Sequence, residues 1–331
     1  MELMGDPKTM EMLGDYRLTS QLTSQNSGFS VWGYGTKNGK VYFIKQFLSP
    51  KYPENDTISS PERLKKRLKL CEDFEYSKRR LYQTLNRCSD GNALRVHEFF
   101  RVGPNYYIST QKITGPSWDI DRIVALRDVD KQRLCATIAH AVASFHEGGL
   151  VHADLKHTNI LFTHGSSGIM TAKIIDFDSS FLETNPPQPG EEIIGDQVYF
   201  SPEACLHIWG EEVALTCKMD VFALGVLFHQ YFTGKLPNFD HQSFCYPGEA
   251  VANGAPLTLA KGLPRALAEL LESMLAPNPQ DRPAAAEVFE ALYMGPDGPG
   301  RFIGSGEAAK AYSGASSATA GGRRWSQAGD L

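Results

Sequence analysis

Strand-type residues fill two neighbouring stretches, FSVWGYGT and KVYFIKQF, and the polar KNG between them predicts a β-hairpin. The next stretch, LSPKYPENDTISSPE, is polar and predicts a loop. Ser59 with Glu62 fits a capping box and Pro61 fits a first helical turn, so a helix is expected from there to about Leu85. Leu64, Leu68, Cys71 and Phe74 recur at helical spacing and mark one face of it. ALRVHEFFRV and NYYISTQKI predict two more strands, joined by Gly-Pro. After TGPSW the pattern turns helical. Residues 129–147 carry apolar positions at helical spacing, and Gly148-Gly149 predicts the stop. NILF and AKIIDF flank THGSSGIMT as a short hairpin, and from about 214 the chain is again mostly helical. VFALGVLFHQYF is too short to cross a bilayer and predicts a buried helix. A strand-rich half before a helix-rich half predicts an α+β protein in two lobes.

Composition sharpens this in three ways. At 331 residues and 42% hydrophobic, the chain can bury a sizeable core. From about Gly295 it turns rich in Gly, Ala and Ser, which predicts a disordered tail over 295–331. The net charge of −5 gives no sign of a nucleic-acid binder. The basic runs Lys65-Lys66-Arg67 and Lys78-Arg79-Arg80 fall within a helical pattern and read as solvated helix faces. None of the six cysteines forms a CxxC pair, and MELMGDPKTM lacks the apolar stretch of a secretory signal. The expectation is a soluble, cytoplasmic protein without a membrane span.

The chemistry concentrates in VHADLKHTNILF, Val151–Phe162, which packs His152, Asp154, Lys156 and Asn159 into eight positions. One short loop can aim Asp154 and Asn159 at one point. Asp176 follows an apolar strand in KIIDFDSS. A carboxylate there, with the amide oxygen of Asn159, makes a hard oxygen pair suited to Mg²⁺. Lys156 can neutralise a phosphate in transfer, and Asp154 can orient or deprotonate an attacking hydroxyl.

HADLKHTN resembles the catalytic loop of protein kinases, and DFD resembles their DFG motif. Further landmarks follow in the family's order. VYFIK resembles the third-strand lysine motif, which implies that Lys45 meets the α/β-phosphates of ATP. GDQVYFSPE resembles the end of the activation segment, DVFALG the helix whose Asp220 braces the catalytic loop, and NPQDRP the late helix whose Arg282 pairs with Glu203. His152 is then a packed structural residue. The resemblance covers about residues 15–294. It implies a bilobal kinase-like fold: an extension (1–14), an N-lobe of antiparallel sheet plus one long helix (15–111), a mainly helical C-lobe (112–294) and the tail. It also implies ATP and Mg²⁺, with Mn²⁺ as a substitute, and transfer of the γ-phosphate to Ser or Thr of protein substrates. The lysine two residues past Asp154 marks the Ser/Thr branch. Counting back from TGPSW puts Thr110 at the gatekeeper position, Gln111 to Ile113 on the adenine edge and Leu161 beneath the ring. Glu75 is the favoured partner of Lys45, with Glu72 as the other candidate.

Several positions depart from the family pattern. The glycine-rich loop, SQNSGFSVW, retains Gly28 with Ser27 before it and has fewer glycines than the family. Phe43 stands where an alanine usually meets adenine, Asp178 replaces the glycine of DFG, and Asp196, which can pair with Lys156, replaces a threonine. Ala153 replaces the arginine that meets an activation-segment phosphate, so one phosphate on Ser179, Ser180 or Thr184 is not expected to switch the enzyme on. Two rival readings remain: a nucleotide-binding pseudokinase or scaffold, favoured by these departures, and a small-molecule phosphotransferase. Retention of Lys45, Asp154, Asn159 and Asp176 weighs against the first. SPE, Asp220 and Arg282 weigh against the second. The glycine-poor loop looks more like the kinase-type proteins of bacteria.

Overall fold

A computed structural model describes residues 11–24, 30–54, 56–89, 91–113, 118–164, 170–189 and 191–293. Gly28, Ser27 and the tail expected over 295–331 lie outside the described residues. Asn38 and Gly39 both take positive φ (53° and 75°), the left-handed backbone of a tight hairpin turn. They join β3 (Ser30–Lys37) to β4 (Lys40–Phe47) in full antiparallel register, Trp32 opposite Lys45 and Tyr34 opposite Phe43. The short β1 (Met12–Leu13) and β2 (Tyr16–Leu18) add to one side, and β5 (Val96–Val102) and β6 (Asn105–Gln111) to the other. The result is a six-stranded sheet in the order β1-β2-β3-β4-β6-β5, in which β4 pairs with β6 so that Phe43 faces Thr110 across the ladder.

Helix α1 (Pro61–Cys88) packs on this sheet. Its cap is Ser60, one residue later than expected: the Ser60 hydroxyl accepts from Arg63 N–H, while the Ser59 hydroxyl donates to Asp56. Cys71, Leu81, Tyr82 and Leu85 of α1 are buried, and Phe74 packs in the same cluster against Phe47, Phe99 and Tyr106. A smaller cluster of Leu13, Tyr16, Leu18, Ile44 and Tyr107 lies with the first strands.

Among the described residues past 118, helices dominate: α2 (Ile120–Val124), α3 (Asp128–His146), α4 (Pro202–Ile208), α5 (Lys218–Thr233), α6 (Pro247–Ala252), α7 (Arg265–Met274) and α8 (Ala285–Tyr293). α5 is the buried helix expected from VFALGVLFHQYF, with Val221, Phe222, Leu224, Leu227 and Phe228 fully enclosed. Two pieces of strand pairing hold the loops between the helices: β7 (Leu150–Val151) with β10 (Phe181–Leu182), and the expected hairpin of β8 (Ile160–His164) with β9 (Met170–Ile174). The fold is therefore the bilobal α+β arrangement that the pattern predicted.

Gly248, near the start of α6, lies against the main chain of the segment before α4: a Cβ there would meet the Phe200 carbonyl. Backbone cannot rotate aside as a side chain can. Gly248→Ala is expected to lower stability by about 1–3 kcal/mol, the usual cost of overpacking. A thermal melt of that variant checks it.

Candidate active site

The loop after α3 is held from below. Asp220, buried in the first turn of α5, accepts from the backbone N–H of His152 (2.7 Å) and of Ala153 (2.9 Å) and contacts His146 Nε2 (2.9 Å). These bonds hold Ala153 at φ 66°, a left-handed conformation that a residue with a Cβ adopts only when its surroundings impose it. His152 is fully buried. Its Nε2 faces the Ile175 carbonyl at 3.0 Å and so carries the proton, leaving Nδ1 to accept from Asp154 N–H. Its ring rests on Phe177 at 4.7 Å. These contacts pack the His152 ring into the interior below the loop.

Asp154 projects from this braced turn. Its carboxylate receives Lys156 Nζ (2.9 Å), Asn159 Nδ2 (2.9 Å) and the backbone N–H of Asp196 (2.9 Å). Asp196 therefore meets the site through its main chain. Its side chain caps Val198 N–H in a 3₁₀ turn, and Lys156 bonds Asp154 in place of the expected Asp196. Asn159 spends its amide N–H groups on Asp154, on both the carboxylate and the carbonyl, which leaves its Oδ1 as the free donor atom.

Asp176 follows β9 by two residues, at φ 66°. Its Oδ1 lies 2.7 Å from Lys45 Nζ. Burial would raise its carboxyl, but Lys45, with His152 and Lys156 further off, holds it below the usual carboxylate range. Burial would likewise lower Lys45, and the charges of Asp178 and Asp176 outweigh it and hold the ammonium above the usual lysine range. The free Oδ1 of Asn159 and the ionised Asp176 supply hard oxygen donors. They fit a divalent cation that prefers oxygen donors.

Beside these groups lies a cavity of about 290 Å³. Phe43, Thr110, Gln111, Ile113 and Leu161 line it at one end, Lys45, Asp176 and Asp178 at the other. Phe43 does not cross it: its ring stacks on Trp32 at 5.5 Å and meets Tyr34 edge-on, so it forms part of the wall. Among the described residues, Tyr82 Oη, Thr110 Oγ1 and Asp178 Oδ1 are buried without a hydrogen-bond partner, and all three residues line this cavity. An apolar pocket with a few convergent polar groups is the usual form of a small-molecule site.

Glu203, in the first turn of α4, and Arg282 form a bidentate buried pair at 2.7 and 2.9 Å. A second expected pairing is corrected. Glu75 accepts from Tyr106 Oη at 2.9 Å, and Lys45 is bonded to Asp176 and Asp178 (2.8 Å) instead. Of α1, Tyr82 lines the cavity, and Lys78 donates its ammonium to the Asp178 carbonyl. The reading of Lys78 as part of a solvated face is therefore wrong. It falls in the 71-74-78-82-85 stripe whose other members pack inward, and that spacing was its signal.

The family model for the protein kinase domain matches residues 64–294, more than half of the chain. The chain belongs to the protein kinase family. The match starts inside α1, so Lys45 and Phe43 lie before it and owe their placement to the sheet register. Among curated relatives, the serine/threonine-protein kinase PkaA of Streptomyces coelicolor is 28% identical over 67% of this chain and 40% of its own length. Calcium-dependent protein kinase 21 of Oryza sativa subsp. japonica is 33% identical over 53% of this chain and 30% of its own length. Calcium-dependent protein kinase 7 of Arabidopsis thaliana is 26% identical over 70% and 42%. The kinase domain thus spans less than half the length of these relatives. Among the described residues, no helix is long and apolar enough to cross a membrane.

Proposed function

We infer that this kinase domain transfers the γ-phosphate of ATP to Ser or Thr hydroxyls of protein substrates. The observation that carries the reading is that Asp154 gathers Lys156 and Asn159, that the Asn159 carbonyl accepts from the N–H of Ile175 next to Asp176, and that Asp176 with Lys45 lines the cavity. Thr110, Gln111, Ile113 and Leu161 bind the base, Phe43 walls it, and Lys45 takes the α/β-phosphates. Gly28 and Ser27 lie in the stretch whose sequence resembles the family's phosphate-binding loop. Asn159 and Asp176 hold Mg²⁺, or Mn²⁺ in its place; when bound, the metal neutralises charge on the phosphate oxygens. Asp154 sets the acceptor hydroxyl in line and takes its proton on a carboxylate oxygen. Lys156, already on Asp154, offers its ammonium to the transferring phosphoryl group. The work of the site is positioning and charge neutralisation.

Lobes at 15–111 and 112–294 and a Gly/Ala/Ser-rich tail complete the reading. So does a reducing, cytoplasmic compartment, which fits six free cysteines. Protein partners are Ser/Thr substrates, and the acidic net charge speaks against nucleic acid. A γ-labelled ATP assay with Mg²⁺ and a basic protein acceptor tests it. The wild-type chain is expected to label Ser or Thr, and Asp176→Ala to lose at least about 100-fold of that rate, as removal of a charge-stabilising group does. If ATP raises the melting temperature but no label moves to any acceptor, the chain is a nucleotide-binding pseudokinase. Transfer to small alcohols but not to peptides would make it a small-molecule phosphotransferase.

A further inference from the structure

We propose that Asp178 is the positioning residue that holds Lys45 for the phosphates, and that α1 supplies a cation, Lys78, to fix Asp178 rather than a carboxylate to fix Lys45. The proposal rests on the reading of the cavity as an ATP site.

Lys45 Nζ touches two carboxylates, Asp176 at 2.7 Å and Asp178 at 2.8 Å. Asp176 is also one of the two oxygen donors suited to the metal. A carboxylate engaged by a divalent cation is a weaker partner for an ammonium, so Asp178 is the counter-ion left to Lys45 in the loaded site. The helix offers none, because Glu75 is bonded to Tyr106 Oη. Lys78 is the helix residue in reach, and it donates to the main-chain carbonyl of Asp178. Lys45 is thus held by two carboxylates, while Lys78 is held by a main-chain carbonyl of the same segment.

The remaining oxygen of Asp178 supports the same assignment. Among the described residues, Oδ1 is buried without a partner, so the carboxylate's ion pair is with Lys45 through Oδ2. A carboxylate oxygen buried without a partner is unfavourable for folding alone. Its retention is explained by what it does to Lys45. Burial also pushes the Lys78 ammonium below the usual lysine range, and Lys45 pushes the same way, so the two cations feel each other across Asp178.

The assignment predicts a charge swap. Affinity for ATP with Mg²⁺ is measured by calorimetry on the full chain, beside label transfer and a thermal melt. Asp178→Asn keeps the shape and removes the charge, and it is expected to weaken ATP about tenfold, the loss typical of one charged hydrogen bond. Asp178→Glu should recover part of that. Asp178→Gly should weaken ATP similarly, and Asp178→Gly with Lys78→Glu should regain at least about threefold, because a carboxylate returns from the helix side. A merely structural role would shift the melting temperature without that swap recovery. The proposal is overturned if Asp178→Asn leaves ATP affinity within twofold of wild type. It is also overturned if the double variant binds no tighter than Asp178→Gly, or if Glu75→Gln weakens ATP more than Asp178→Asn does. Wild-type chain that binds ATP but moves no label defeats the kinase reading alone; these affinity ratios still decide this one. No ATP binding by wild type overturns both.

Discussion

Asp154→Asn is expected to lower kcat for phosphoryl transfer by about 10²–10⁴-fold, the usual contribution of a positioned general base. That corresponds to about 3–5 kcal/mol of barrier. The substitution keeps size and shape. Its amide oxygen can still accept from Asp196 N–H, but its NH₂ must then face Asn159 Nδ2 or Lys156 Nζ, both of which are donors. The variant therefore loses the carboxylate that takes the proton and one hydrogen bond, at a net stability cost of about 1 kcal/mol. For a domain of this size that moves the melting temperature by about 2–4 °C. ATP affinity should hold, because Lys45 and the base-binding wall do not depend on Asp154. Steady-state kinetics with a peptide acceptor, run beside ATP calorimetry and a melt, give the check. A kcat within tenfold of wild type would remove Asp154 from the proton-transfer role.

The loop at 151–162 was legible in the sequence because its parts are close together. Asp154, Lys156 and Asn159 lie within six residues, and a short turn leaves few ways to arrange them. Asp220 and Arg282 were legible only through their order along the chain, since nothing local to them shows that they reach His152 or Glu203. The partner of Lys45 was not legible. Glu75 and Lys78 sit about 60° apart around α1, one on each side of the apolar stripe's edge. Spacing puts Lys78 in the inward stripe, but it cannot say what Glu75, at the stripe's edge, is bonded to. Tyr106 decides it by drawing Glu75 into a hydrogen bond with its hydroxyl. The role of Asp178 was hidden for a related reason: its partner Lys45 lies more than a hundred residues away, on another lobe's sheet. Asp196 shows a third case, in which the backbone N–H of a residue, rather than its side chain, reaches the site.

Arg282→Ala should have the largest effect on stability. Arg282 is fully buried, and its guanidinium makes two bonds to Glu203 and further bonds to the carbonyls of Ala276, Lys218 and Pro277. It also lies over the Phe222 ring at 5.0 Å. Truncation leaves the Glu203 carboxylate buried without its cation, removes the N–H groups given to three carbonyls, and leaves a void. Breaking a buried pair in this one-sided way costs about 3–5 kcal/mol, a large fraction of the 5–15 kcal/mol that about any domain has in total. The melting temperature should fall by about 6–20 °C.

Activity should fall with it, and the path is short. Glu203 sits in the first turn of α4, whose cap Ser201 follows the 3₁₀ turn at 197–199, and that turn begins from Asp196, whose N–H touches Asp154. Glu203→Gln separates charge from scaffold, because it keeps the shape and leaves Arg282 with its three carbonyls. It should cost less than Arg282→Ala. A double-mutant cycle of Glu203→Gln and Arg282→Ala should give a coupling of about 1–3 kcal/mol, since the second change removes a partner that the first has already weakened. Purely additive melts would mean that the pair carries no energy of its own and that Arg282 acts through its carbonyl contacts alone.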